Sequence, residues 1–290
     1  MADTLSWLQI LILGIVQGFA ELLPVSSSAH VIMAERLMGL DPTTPDMTLL
    51  LVMLHTGTMF AVIVYFWSAW RERFFSSKEA FRQALQHVVV ATMLTGIIGF
   101  GLLLLVEKVL LRGNPKAEIE HLFGNFYLMA AGLAAAGIMI IVSGFRVLRV
   151  NNTQAVDMKS AVWIGAVQGI CLPVRGFSRS GATISTGLLL GVARNRAEEF
   201  SFALAVVLTP PVLLKEGYRF YAANAEVLGH SGKWLHLAIP SLLGMVFSFC
   251  AGLLALRWLS RWLEEGRWHF FGYYCLLATA VVLGVNLALP

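Results

Sequence analysis

Charged residues are scarce in this sequence. Lys, Arg, Asp and Glu make up 13% of the 290 residues, whereas about 25% is usual in a soluble domain. Hydrophobic residues make up 58%, and several runs without charge reach the ~20 residues that a helix needs to cross a bilayer. The composition therefore excludes an ordinary soluble protein and predicts an all-α polytopic membrane protein.

Cysteine is also rare, and its spacing excludes a cysteine-based metal motif. Cys171, Cys250 and Cys275 lie far apart in apolar surroundings, which favours a role as small packed residues. The net charge of +4 is spread mainly over short loops between hydrophobic runs, where basic residues set membrane topology. We therefore expect membrane lipids as partners and no nucleic acid.

Two polar stretches interrupt the apolar chain and resemble each other. One is GIVQGFAELLPVSSSAH (14–30), and the other is GAVQGICLPVRGFSRSGAT (165–183), which begins 151 positions later. Both start with the pattern G-x-V-Q-G and then pass through a proline into a serine-rich segment. Polar breaks at membrane depth are tolerated only when buried in protein or lining a watery cavity. These stretches are therefore the candidate functional segments.

Each polar stretch breaks a hydrophobic segment that is too short to span a membrane. Residues 5–16, for example, would cover about 18 Å of a hydrocarbon core about 30 Å thick. We therefore predict re-entrant helical hairpins over 5–38 and 161–192. Three full spans are predicted after each hairpin: 47–67, 85–106, 123–144, then 200–214 (short for a span), 235–256 and 270–289. Because three is odd, the second half is expected to be inverted, giving one membrane domain over 1–290 with inverted repeats 1–150 and 151–290.

The loop charges predict which side of the membrane each loop occupies. Loops 68–84, 145–160, 194–199 and 257–268 fall on one side and hold twelve basic residues, against seven on the other. The richer side is expected to be cytoplasmic, which places both termini outside. One hairpin then enters from each face, and the functional site is expected where the two tips meet.

The first tip carries the parts of an activated nucleophile. Gln17 and Glu21 share a helical face, as do Ser27 and His30. Burying an ionisable residue inside a membrane costs free energy. This favours a functional role for Glu21 over the alternative in which its carboxylate only pairs with a helix end or an arginine. Any one serine of the 26–28 run could equally be the helix N-cap. A hydroxyl, an imidazole and a carboxylate together are typical of nucleophilic catalysis.

The second tip has the composition of an anion site. Glycine allows close backbone approach, hydroxyls donate hydrogen bonds, and a helix N-terminus adds N–H groups and a favourable dipole. Arginine grips phosphate oxygens in a bidentate manner, although Arg179 could instead only neutralise Glu21. The candidate substrate-binding residues of both tips are Gln17, Ser26, Ser28, Arg175, Gly176, Ser178, Ser180 and Thr183. Together the two tips point to phosphoryl transfer inside a membrane.

With these residues in hand, the chain resembles the undecaprenyl-diphosphatase family, also called the bacitracin-resistance proteins. The likeness runs nearly end to end and includes the (E/Q)xxxE element at 17–21, PVSSSAH at 24–30 and the PGxSRSxxT signature at 175–183. Two supporting stretches are HTGT (55–58) and AEEFSF (197–202). There are two departures: Arg175 replaces the usual proline, and His55 stands where glutamine is common.

The resemblance implies a bacterial cytoplasmic-membrane enzyme that hydrolyses undecaprenyl diphosphate to undecaprenyl phosphate and inorganic phosphate, recycling the lipid carrier for cell-wall synthesis. It also implies bacitracin resistance and a site opening to the periplasmic or outer face. Glu21, Ser27, His30 and Arg179 become the expected catalytic residues. Partners are then the polyprenyl diphosphate lipid and, as a further expectation, a second copy of the chain.

Two questions stay open from the sequence. Ser27 is expected to attack phosphorus with His30 or Glu21 as base, but Glu21 and Gln17 could instead position Mg²⁺ or Ca²⁺ and a metal-activated water. Inverted repeats with broken helices are also typical of transporters, so a polyprenyl-phosphate flippase is the alternative function.

Overall fold

The computed structural model describes residues 5–41, 44–110, 125–150, 152–228 and 233–288. Within them the chain forms ten helices and no strand beyond one isolated bridge, so the all-helical prediction is confirmed. In chain order the helices are α1 Trp7–Leu22, α2 Ser27–Leu37, α3 Pro45–Arg73, α4 Lys78–Leu110, α5 Phe126–Arg149, α6 Met158–Cys171, α7 Arg179–Leu189, α8 Arg194–Leu228, α9 Lys233–Glu264 and α10 His269–Ala288.

Six of these helices are long and apolar enough to cross a membrane, by length and composition. They are α3, α4, α5, α8, α9 and α10, in agreement with the six predicted spans. The predicted span ends at Phe123 and Leu289 lie outside the described residues. The fourth span, predicted as short, lies within a 35-residue helix because α8 begins at Arg194 and continues through Pro210 and Pro211.

The four remaining helices form two short pairs, α1–α2 and α6–α7. These helices have 16, 11, 14 and 11 residues, and at ~1.5 Å per residue none reaches about 30 Å. Ser6 caps α1 in a capping box with Gln9, and Asp157 caps α6 by accepting from the Ser160 amide. Each pair therefore has a defined helix start and a tip where its two helices meet.

Each short pair packs against a helix from the other half of the chain. Gly14 and Gly18 of α1 lie against α9, and Gly165 and Gly169 of α6 lie against α4. The glycines of the repeated G-x-V-Q-G pattern thus form two close helix–helix contacts, since small residues let backbones approach. The Gln168 side chain donates to Thr95 on α4 at 3.0 Å.

Gly18→Ala should destabilise the protein by about 1–3 kcal/mol, because inserted methyl groups force backbones apart. A Cβ at Gly18 would lie 2.5 Å from the Ala251 Cβ and 2.7 Å from the Ser248 carbonyl oxygen, which cannot move without shifting α9. Gly96→Ala is the matched control, since nothing lies within 4 Å of its Cβ position. Thermal unfolding in detergent should show a lower midpoint for Gly18→Ala alone; equal midpoints would contradict this packing argument.

Candidate active site

The tip between α1 and α2 brings the Glu21 carboxylate and the Ser27 hydroxyl together. Helix α1 ends at Leu22, and Leu23, Pro24 and Val25 are buried. Ser26 has φ +68°, a left-handed conformation that is unusual for a side chain other than glycine, and it reverses the chain into α2. That reversal brings the Ser27 hydroxyl back to Glu21, which lies in the last turn of the preceding helix.

The tip between α6 and α7 is held tightly against α5. Gly176 has φ +89°, and a Cβ there would collide with the Met129 backbone. A Cβ at Gly132 would also collide, 2.6 Å from the Arg175 carbonyl oxygen, so the loop and α5 touch along their backbones. Ser178 caps α7 by accepting from the Gly181 amide at 3.2 Å. The first residue of α7, Arg179, is therefore fixed in direction.

The two tips touch each other. The Ser180 hydroxyl donates to the Leu23 carbonyl oxygen at 3.3 Å, and Gly181 lies beside Pro24. An Arg179 Nη2 donates to Glu21 Oε1, also at 3.3 Å. The expectation that the polar stretches come together is thus met in the structure.

Glu21 is the centre of the resulting cluster. Its Oε2 accepts from the Ser27 hydroxyl at 2.6 Å and from the Gln17 amide at 3.3 Å. Besides the Arg179 guanidinium, His55 of α3 approaches, with its Nε2 3.8 Å from Oε2. A carboxylate that accepts a hydroxyl proton at this distance is placed as a general base.

The Arg179 guanidinium has further hydrogen-bond donors besides the one that pairs with Glu21. Its Nη1 is buried and has no hydrogen-bond partner among the described residues. The guanidinium carbon lies 6.0 Å from the centre of the Phe202 ring, a cation–π distance. At the N-terminus of α7 the helix dipole favours an anion beside the same group. Arg179 can therefore hold Glu21 and an anionic ligand together.

His30, one turn after Ser27, bonds to residues other than Ser27 and Glu21. Its Nδ1 lies 2.8 Å from the Ser26 carbonyl oxygen, and its Nε2 lies 2.7 Å from the Tyr274 hydroxyl. The His30 and Tyr274 rings are stacked with centroids 5.7 Å apart. Both ring nitrogens are thus engaged, and the hydroxyl of Ser27 is paired with Glu21 instead.

Most of the other predicted hydroxyls are engaged within the protein. Ser26 and Ser28 lie 3.2 Å apart and form a hydrogen bond. Ser178 and Ser180 are buried at the tips, where they cap α7 and join the two loops. Thr183 is fully buried and lies 2.6 Å from the hydroxyl of Ser201. These contacts shape the site, and in this arrangement the hydroxyls face protein rather than an open cleft.

The remaining predicted binding residues lie at the edge of the second tip. Arg175 is exposed and interacts electrostatically with the buried Glu35 of α2. Gly176 is buried and is needed for the turn. Their position beside α2 makes them part of the rim around the two tips.

Sequence reasoning gave no role to several residues that complete the site. In the sequence, His55 stands out only as part of the HTGT stretch and as a departure from the family pattern, and Ser201 and Phe202 only as part of AEEFSF. Tyr274 and Cys275 of α10, which contact His30 and the Pro24 carbonyl oxygen, gave no signal because single residues in an apolar run have no pattern.

The metal-ligand set at this site is small. No group of three or more His, Cys, Asp or Glu residues able to hold a metal occurs in the described part of the chain. The Glu21 carboxylate and the Gln17 amide offer hard oxygen ligands, and the buried Gln17 Oε1 has no hydrogen-bond partner there. Mg²⁺ is often held by one or two carboxylates plus substrate phosphates. These two residues therefore fit a cation that substrate oxygens would also bind, not a cation held by protein alone.

The fold and the site together define a multi-pass helical membrane protein with an acid–hydroxyl–arginine cluster at the junction of two broken segments. The family model described as "Bacitracin resistance protein BacA" matches residues 10–281. The chain therefore belongs to the bacitracin resistance protein family, and the resemblance noted from its motifs is confirmed.

Curated relatives are similar along nearly the whole chain. "Undecaprenyl-diphosphatase 2" of Acinetobacter baylyi is 57% identical over 286 residues, covering 98% of this chain and 99% of the relative. The undecaprenyl-diphosphatase of Desulfosudis oleivorans is 30% identical over 298 residues, covering 97% and 98%. That of Rhodopirellula baltica is 29% identical over 280 residues, covering 97% and 98%.

Proposed function

We propose that this protein is an undecaprenyl-diphosphatase, an integral membrane hydrolase that releases inorganic phosphate from undecaprenyl diphosphate and confers bacitracin resistance. The observation that carries the proposal is the Ser27 hydroxyl 2.6 Å from a Glu21 carboxylate that also pairs with Arg179. The names of the relatives along the full length of the chain support the same substrate.

The proposed mechanism assigns one role to each member of the cluster. Arg179 binds the terminal phosphate through its unpartnered Nη1 and stabilises charge during transfer. Ser27 attacks the terminal phosphorus while its proton passes to Glu21, and the bond to the bridging oxygen breaks, releasing undecaprenyl phosphate. Water then attacks the phosphoserine and releases phosphate. Glu21 is the base in this scheme because His30 bonds to Ser26 and Tyr274.

A divalent cation is the second part of the proposal. When bound with the substrate at Glu21 and Gln17, Mg²⁺ or Ca²⁺ would neutralise charge on the diphosphate. The ligands that the protein would offer to this cation are the Glu21 carboxylate and the Gln17 amide oxygen. Gln17→Met keeps the side-chain length and removes the amide oxygen, so it should weaken the cation dependence of substrate binding as well as of turnover.

We further propose the inverted-repeat architecture, with 1–150 and 151–290 as its two halves within one domain. Helix contacts support it: α1 lies on α9 as α6 lies on α4, which are corresponding helices of the two halves. The re-entrant course of α6–α7 is supported by Gln154 and Val192, which flank this pair and form a bridge. The first pair likewise has Leu5 and Met38 packed on one cluster.

The proposed location is the bacterial cytoplasmic membrane, with the active site opening to the periplasmic or outer side. The bacterial relatives and the excess of basic residues in the loops assigned to the cytoplasm support it. The expected homodimer stays a prediction. A polyprenyl-phosphate flippase remains the second candidate function, favoured by the contact of two broken segments at one site.

Phosphate release from a long-chain polyprenyl diphosphate tests the proposed function. Purified protein should release one phosphate per lipid and leave the corresponding monophosphate lipid intact. EDTA should reduce the rate, and added Mg²⁺ or Ca²⁺ should restore it if the cation proposal holds. Absence of phosphate release under all these conditions, together with movement of labelled polyprenyl phosphate across liposome membranes, would replace the hydrolase with the flippase.

A further inference from the structure

The guanidinium of Arg179 lies against the aromatic ring of Phe202. The guanidinium carbon is 6.0 Å from the centre of that ring, which belongs to α8. Phe202 is fully buried, whereas the Arg179 side chain is 21% exposed. The ring therefore lies on the protein side of the arginine and leaves its open side to a ligand.

Neighbouring helices fix the position of the Phe202 ring. Phe66 of α3 stacks on it, with ring centroids 5.3 Å apart and an angle of 24° between the ring planes. Trp70, one turn later, stacks on Phe66 at 5.7 Å, and its indole N–H donates to the Glu199 carbonyl oxygen at 3.3 Å. Glu199 precedes Phe202 by one turn of α8. The ring beside Arg179 thus belongs to a buried aromatic stack that α3 and α8 build together.

The backbone of Arg179 is tied to the same part of α8. The Thr183 hydroxyl donates to the Arg179 carbonyl oxygen at 2.8 Å and lies 2.6 Å from the Ser201 hydroxyl. Ser201 directly precedes Phe202 in the chain. One short segment of α8 therefore holds the start of α7 through a hydroxyl and the Arg179 side chain through a ring.

An aromatic ring suits this position because it attracts a cation without using its donors. The face of the ring carries negative partial charge, and the attraction is larger where water is excluded. Nη2 of Arg179 donates to Glu21, and Nη1 has no hydrogen-bond partner among the residues that the structure describes. A carboxylate in place of the ring would take the donors that a phosphate needs. The ring can therefore hold Arg179 without competing with a substrate.

We propose that Phe202 is a positioning residue for phosphoryl transfer: its ring holds the Arg179 guanidinium so that Nη2 pairs with Glu21 while Nη1 is directed to the terminal phosphate. This role rests on the hydrolase function proposed above. Donors stabilise a developing charge best when they are in place before the reaction begins. Without the ring, the flexible arginine side chain has other orientations, and the bound phosphate has to draw it into place. The loss should therefore fall mainly on kcat and less on KM.

Phe202→Leu tests the proposal by steady-state phosphate release. The variant keeps an apolar side chain but loses the aromatic face, so kcat should fall about tenfold while KM stays within about threefold. Phe200→Leu is the matched control, because Phe200 is also buried on α8 but packs in a cluster of apolar side chains with α4 and α6. It should lose a similar amount of thermal stability and keep the wild-type kcat. An equal fall of kcat in both variants would reduce the role of Phe202 to packing.

Fluorinated phenylalanines at position 202 separate the electrostatic contact from packing. Each fluorine on the ring withdraws charge from its face and weakens its attraction for a cation, while the shape of the side chain changes little. The value of kcat should therefore fall stepwise from phenylalanine through the mono-, di- and trifluoro analogues. The same analogues at position 200 should give a constant kcat, since a purely structural ring predicts no such gradient.

The outcomes of this series are distinguishable from failure of the hydrolase function. A constant kcat along the series at position 202, or the same fall at position 200, would overturn the positioning role and leave the hydrolase in place. Wild-type protein that releases no phosphate in the same assay would overturn the hydrolase function, and the role of Phe202 with it.

Discussion

Arg179→Ala should reduce phosphate release by about 10³-fold or more, the range found when an arginine that stabilises phosphoryl transfer is removed. The variant loses the unpartnered Nη1 donor and leaves Glu21 without its guanidinium. It also removes a positive charge at the N-terminus of α7 that contacts the first tip. Binding and transition-state stabilisation would therefore fail together, and both KM and kcat should change.

Arg179→Lys is the informative companion variant. Lysine keeps the positive charge but has no planar fork, so it cannot hold Glu21 and a phosphate oxygen in the same geometry. We expect intermediate activity, well above Arg179→Ala and well below wild type. Arg219→Ala on α8, which removes an exposed arginine paired with Glu216, should leave the rate unchanged. Activity of Arg179→Ala within a few fold of wild type would remove Arg179 from the mechanism.

Ser27→Ala should also lower phosphate release by about 10³-fold or more, because the nucleophile of a covalent mechanism is lost. The change removes one hydroxyl that donates to Glu21 and leaves Arg179, Gln17 and His55 around the carboxylate, so the fold should persist. Ser28→Ala is the matched neighbour: its hydroxyl bonds to Ser26, and its loss should have a much smaller effect.

The same variant separates the open mechanistic alternatives. Substantial activity in Ser27→Ala that EDTA abolishes would replace the serine nucleophile with a metal-activated water at Glu21 and Gln17. Trapping of a phosphorylated wild-type protein, absent in Ser27→Ala, would support the covalent route. Undiminished lipid flipping in Ser27→Ala without any hydrolysis would favour the transport function, since a carrier needs no nucleophile.

The sequence predicted the six spans and the meeting of the tips because their signals are local and strong. Long apolar runs define helices, and Gly14–Gly18 and Gly165–Gly169 repeat one pattern that the structure uses twice. Glu21 and Arg179 were likewise conspicuous, since charge is rare in such segments. Their 3.3 Å contact follows from the meeting of the tips.

Partners chosen by tertiary packing could not be predicted in the same way. Ser27 and His30 are three residues apart, which suggested a pair, but the left-handed turn at Ser26 directs Ser27 to Glu21. His30 instead meets Tyr274, 244 positions later. His55 reaches the site only because α3 packs beside α1, and nothing in its own neighbourhood in the sequence reveals this.

The glycine contacts also have a consequence for the order in which the protein is made. Gly18 emerges early during synthesis, but its packing partner Ala251 lies 233 positions further along the chain. The α6 pair is different, because Ala91 and Thr95 are already present when Gly165 appears. Helix α1, which leads into the tip with Glu21 and Ser27, therefore has no packing contact with α9 until most of the chain has entered the membrane. Support of the Glu21–Ser27–Arg179 cluster by α9 is thus a late event in biogenesis, so we expect a chain truncated before α9 to insert its early helices without a stable cluster.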